Sequence, residues 1–113
     1  MTSDRRNGVI GDYAIKTPVL VATTANITLS GLQTIDGVAL AEGDRVLVKS
    51  QSTTANNGIY EADTGTWTRA ADFDGPFDIV KGTLIPVTSG TLYSASYWFV
   101  ATANPITIGT TGL

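Results

Sequence analysis

The chain predicts an all-β fold, a small antiparallel β-sandwich or partly open barrel of about seven to nine short strands with an N-terminal arm. Three observations carry this expectation. Short runs rich in Val, Ile and Thr recur from Val19 onward, and these residue types suit a pleated, half-buried surface. Turn signals built on Gly, Asp and Asn separate the runs by about 8–12 residues, the strand spacing of sandwiches and barrels. No segment sustains a 3.6-residue apolar period with helix caps, so helix is expected to be minor.

Each element follows in order. Met1 to Lys16 is polar, contains Gly8 and Gly11, and reads as a flexible arm with Arg5, Arg6, Val9, Ile10 and Tyr13 as the side chains that would dock it to a partner. Residues 17–113 read as a single β domain, long enough to bury a core without metal or disulfide staples. Thr17-Pro18 opens a strand at Val19-Leu20-Val21, where proline is tolerated because it stands at the strand's start. Ala25 to Ser30 alternates Ile27 and Leu29 with polar residues, which predicts a strand with one buried face. Asp36-Gly37 lies between Thr34-Ile35 and Val38-Ala39-Leu40; this dipeptide readily supplies positive φ, so a tight hairpin is expected.

Glu42-Gly43-Asp44 then turns the chain into Arg45 to Lys49, apolar on both faces at Val46, Leu47 and Val48 and therefore expected to be central. Asn56-Asn57-Gly58 leads into a strand at Ile59 to Ala62. Thr64-Gly65 turns it into Thr66 to Arg69, where alternation sets Trp67 opposite two threonines. Ala71 to Lys81 is acidic, is interrupted by Gly75-Pro76, and reads as a long loop anchored by Phe73 and Phe77. Thr83 to Thr88, Tyr97 to Thr102 and Ile106 to Ile108 read as further strands, punctuated by Ser89-Gly90 and Asn104-Pro105.

Composition narrows the function. Charged residues make up 15% of the chain and the net charge is −3. Binding a polyphosphate backbone requires clustered Lys and Arg, so nucleic acid is not an expected partner. No apolar stretch reaches the about 18 residues of a membrane span or forms a signal-peptide core, and a soluble protein made in the cytoplasm is expected. Thr and Ser supply much of the polar surface, which suits assembly.

The chain has no histidine and no cysteine, so the commonest general base, the commonest metal ligand and the strongest nucleophile are missing. Catalysis would fall to carboxylates. Glu42 and Glu61, with Asp44 and Asp63, could form the facing pair of a glycosidase, but solvated surface charge explains all four. Asp72-Phe73-Asp74-Gly75 with Asp78 faintly resembles a calcium loop. It lacks the third ligand before the Gly and the closing Glu, so an acidic surface loop is the simpler reading. No catalytic, metal or cofactor residue is expected.

Tyr60, Trp67, Tyr93, Tyr97, Trp98 and Phe99 remain. Core packing accounts for them first, a subunit interface centred on Trp98 second, and a stacking platform for host surface glycans at Trp67, Tyr97 and Trp98 third. In a period-two strand Tyr97 and Phe99 share one face and Trp98 takes the other.

Residues Thr17 to Gly109 resemble a module of the tail-fibre, tailspike and related virion structural proteins of tailed bacteriophages and prophages. The matching segments are TPVLVATTANITLSGLQTIDGVALAEGDRVLVKSQ, NNGIYEADTGTWTRAADFDG, GTLIPVTSGT and NPITIG. The resemblance implies a β-rich, non-enzymatic unit of the virion, homo-oligomeric with a trimer favoured, which docks onto other phage tail or capsid proteins. A capsid-attached decoration or head-fibre protein, or a module binding host glycans, are the alternative roles. Made in the host bacterial cytoplasm, such a unit would reside in the virion.

Overall fold

The computed structural model describes residues 15–74, 81–102 and 106–113. The fold is all-β in these residues, with eight short strands and two single-turn 3-10 segments, Thr54–Asn56 and Ala71–Phe73. The strands are β1 (Val21–Ala22), β2 (Thr34–Ile35), β3 (Val38–Ala39), β4 (Arg45–Val48), β5 (Gly58–Glu61), β6 (Thr68–Arg69), β7 (Leu84–Val87) and β8 (Ser96–Phe99). They form a four-stranded sheet in the order β1-β4-β5-β6 and two pairs, β2-β3 and β7-β8.

The β2-β3 hairpin matches its local chemistry. Asp36 and Gly37 both take positive φ, 47° and 82°, the geometry of a primed turn whose twist suits antiparallel strands. Ile35 pairs with Val38 and Thr34 with Ala39. Strand β4 is central as its two apolar faces require, flanked by β1 and β5. Val46 and Val48 enter one core, with Ile35, Leu40, Tyr60 and Trp67, while Leu47 enters the other, with Ile59, Phe73, Ile85 and Val87. Both faces of the four-stranded sheet are thus covered. Period-two alternation assigns each residue to its core: Val21 to the first and Ala22 to the second, Tyr60 to the first and Ile59 to the second.

The antiparallel expectation holds for β2-β3, β4-β5, β5-β6 and β7-β8 but not for β1, which runs parallel to β4 in the register Val21↔Val46 and Ala22↔Leu47. The reason lies just before it. Ile15 and Val19 form parallel bridges to Leu84 and Val87, so the chain runs first beside β7 and then beside β4, joining two sheets with one extended segment. Main-chain bonds mark the transfer: Lys16 N–H donates to Leu84 and Val19 N–H to Pro86, then Leu20 N–H donates to Arg45 and Thr23 N–H to Leu47.

Val19 lies four positions after Ile15, while Val87 lies only three after Leu84. That extra residue is a bulge at Thr17-Pro18, and it turns Ile15 outward and Val19, 1% exposed, inward. Pro86 has no N–H to offer across this junction. The Thr17 carbonyl accepts from the Arg45 guanidinium instead, at 2.9 Å, and the same guanidinium holds Asp72 through two bonds of 3.0 and 3.1 Å.

Three other expectations are corrected. Ile15 and Lys16, assigned to the arm, are already bonded to β7; Arg5, Arg6, Val9, Ile10 and Tyr13 lie outside the described residues, as do Phe77 and Asp78. Ala25 to Ser30 alternates as expected, yet it is not a strand. A side chain satisfies the backbone of Ile27 instead, the Gln51 amide both accepting from Ile27 N–H and donating to Ile27 C=O, each at 2.9 Å, while the segment's end bridges Ser30 to Thr66. Ile106 to Ile108 does not extend either. Thr110 and Thr111 N–H both return to the Thr107 carbonyl, closing a turn, and Ile106 alone is buried.

Candidate interaction surface

The aromatic residues separate cleanly by face. Trp67 belongs to the core: it is 4% exposed, and its indole N–H donates to the Gly31 carbonyl at 2.9 Å. That position removes it from any glycan platform. Tyr60 is also buried, and its hydroxyl donates to the Asn56 carbonyl at 2.7 Å. Burial raises its pKa above the ordinary tyrosine value, with the nearby Arg69 charge opposing the shift.

Trp98 turns inward from β8 and is half-buried against the core of Ile85, Val87 and Leu47. Tyr93 meets it edge to face, centroids 5.1 Å apart at 86°. The Lys49 ammonium lies over both rings, 4.3 and 4.5 Å from their centroids. Ser96 Oγ accepts from the Trp98 indole and donates to the Tyr93 carbonyl, so this ring pair is oriented by hydrogen bonds as well as by contact. Beside it runs an open groove of about 460 Å³, floored by Leu47, Phe73 and Ile85 and edged by Trp98, Lys49 and Thr102.

Tyr97 and Phe99 point the other way and remain 69% and 66% exposed. Their cross-strand partners are Pro86 and Leu84. Ile15, 57% exposed, bridges to Leu84 on the next strand position. The alternation of β8 is legible in the sequence. Which of its faces meets solvent is settled by β7 and by the bulge at Thr17-Pro18.

A second device is absent from any sequence motif. The carboxylate of Asp36, on the hairpin turn, accepts the N–H groups of Leu92 and Tyr93, and its carbonyl accepts from Thr91. Gly90 and Gly37 allow this docking, because a Cβ at either would meet Asp36 or Thr91 at about 2.5 Å or less.

The turn Glu42-Gly43-Asp44 lies against Glu61-Ala62-Asp63, with Gly43 N–H donating to the Ala62 carbonyl and Ala62 N–H to the Asp44 carbonyl. Glu42 and Glu61 are both exposed, Glu61 opposite Arg45 in the β4-β5 ladder. Asp44 accepts from Ala41 N–H within its own turn. Asp63 accepts from Gly65 N–H and from the Thr64 hydroxyl, bonds that lower its pKa. Asp72 is engaged by Arg45. Among the described residues no three acidic side chains come together as a metal site, and no helix is long and apolar enough to cross a membrane. Comparison of the chain with protein-family models, with curated proteins and with solved structures finds no match.

Proposed function

We propose that this chain is a non-enzymatic structural module of a tailed-phage virion, of tail-fibre or tailspike type, which associates with copies of itself and docks onto other tail or capsid proteins. The resemblance of four ordered segments between Thr17 and Gly109 suggests the role. The observation that supports it best is the outward pair Tyr97 and Phe99, large apolar side chains held on a rigid strand and left open to solvent. Such residues are enriched at the centres of protein interfaces. In this reading the four-stranded sheet and the β7-β8 pair form a small sandwich or partly open barrel. Leu47 and Ile59 from one, with Ile85 and Val87 from the other, make up its filling.

Sedimentation at micromolar concentration, combined with labelling of the chain on purified particles, tests the role. An oligomer located on the tail or capsid is the expected result; a monomer that decorates no particle overturns it. A glycan-binding role remains the second reading because Tyr97 is exposed, and Trp98 borders an open groove with a cation beside it. Binding to host polysaccharide that is lost in Trp98→Ala, with folding intact, would favour it over a purely structural role.

A further inference from the structure

The sheet made by β7, β8 and the bridging residue Ile15 has one face covered and one open. The inner face carries Ile85, Val87 and Trp98 into the core. The outer face carries Ile15, Leu84, Pro86, Tyr97 and Phe99, with Leu84 opposite Phe99, Pro86 opposite Tyr97 and Ile15 bridged to Leu84. No side chain among these five is charged. By contrast, the exposed positions of β5 and β6 carry polar side chains, Glu61 and Thr68. The four-stranded sheet packs a core against each side, whereas the β7-β8 pair packs one on its inner face and leaves Tyr97 and Phe99 exposed on the other.

We propose that two copies of this chain meet on this face, sheet against sheet about a symmetry axis, with Tyr97 and Phe99 at the centre of the contact. The proposal rests on the self-associating role given above and names its surface. Charge argues for a copy over a foreign partner, since an uncharged patch offers nothing for an oppositely charged surface to recognise and meets its own image without repulsion. Area argues the same way. A fully exposed aromatic side chain presents about 150–250 Å², so Tyr97, Phe99 and Ile15 leave roughly 350–400 Å² open per copy. Two such faces with Leu84, Pro86 and their polar rim bring the contact to about 1,000–1,200 Å², the lower range of specific interfaces. Geometry completes the case: apolar sheet faces are ordinarily covered by a second sheet stacked about 10 Å away, and a rotation axis supplies that sheet from an identical chain.

Two measurements on the full chain test it. In sedimentation equilibrium, Tyr97→Lys and Phe99→Lys each weaken self-association by at least about 100-fold, as expected of residues at the centre of an interface. Thr64→Lys, on an exposed turn of the other sheet, leaves it unchanged. In unmodified protein, hydroxyl-radical footprinting shows Tyr97 and Phe99 protected at high protein concentration and reactive at low concentration, which keeps the test independent of how the variants fold. An oligomer that survives both lysine variants and leaves Tyr97 equally reactive at all concentrations overturns the face while leaving the self-associating role in place. A chain that is monomeric throughout overturns both. Dissociation on removal of residues 1–14, with the lysine variants without effect, also overturns the proposed face.

Discussion

The carboxylate of Asp36 receives the main-chain N–H of Tyr93 at 3.0 Å, across fifty-seven residues of sequence. It also receives that of Leu92, twice, at 3.0 Å. A hairpin turn thereby orders the loop that presents the Tyr93-Trp98 pair. Local turn chemistry and a long-range clamp share one residue.

Asp36→Ala should destabilise the fold by about 2–3 kcal/mol, since it strands two N–H groups that bond a charged acceptor and places alanine at positive φ. Asp36→Asn keeps the left-handed conformation and one acceptor, so its loss should be about 1 kcal/mol. Urea unfolding followed by tryptophan fluorescence separates the two. Equal stability of all three proteins would show that the clamp carries no load.

Trp67→Ala should cost about 3–5 kcal/mol, the range for truncating a buried large aromatic. Thermal unfolding measures it. The change should act on stability alone, because the Trp67 ring is enclosed and its indole N–H is committed to Gly31; a well-folded variant with altered partner binding only would contradict the assignment to the core.

Arg45→Lys tests the junction between the two sheets. Lysine cannot reproduce the two-pronged bond to Asp72 together with the bond to Thr17 C=O. The expected loss is about 1–2 kcal/mol, moderated by the partial exposure of the pair. Hydrogen exchange at Val19 and Leu20 N–H should accelerate in the variant, because these are the bonds that the guanidinium braces.

Ala95 sits just before β8 with φ of 58°, a conformation that strains any L-residue with a Cβ. Ala95→Gly should stabilise the protein by up to about 1 kcal/mol, with the relief of strain partly offset by the greater freedom of glycine in the unfolded chain. A fall in the unfolding midpoint would contradict this.

Alkaline pH should lower the protein's stability through Tyr60. Its pKa is raised by burial, so the unfolded chain gives up this proton before the native state does. Stability is therefore unaffected by this group below the ordinary tyrosine value of about 10 and falls as pH rises through the higher native value. Tyr60→Phe should flatten the decline above pH ~10 while losing roughly 1 kcal/mol at neutral pH with the hydroxyl bond to Asn56. Denaturant midpoints taken at neutral and alkaline pH provide the check.

Much of the fold could be read along the chain because its rules are local. Asp36-Gly37 specifies its hairpin through the φ values those two residues tolerate. The doubly apolar run Val46-Leu47-Val48 specifies a central strand because two faces must be buried. Alternation around Trp67 and Trp98 assigns opposite faces before any neighbour is known. Tertiary structure decided what depends on partners distant in sequence. It made β1 parallel to β4, flipped Ile15 outward through the bulge at Thr17-Pro18, and replaced a strand at Ile27 with a side-chain amide from Gln51. It also chose which side of β8 stays open. A period of two divides residues between faces, but only packing against another element determines which face loses its water.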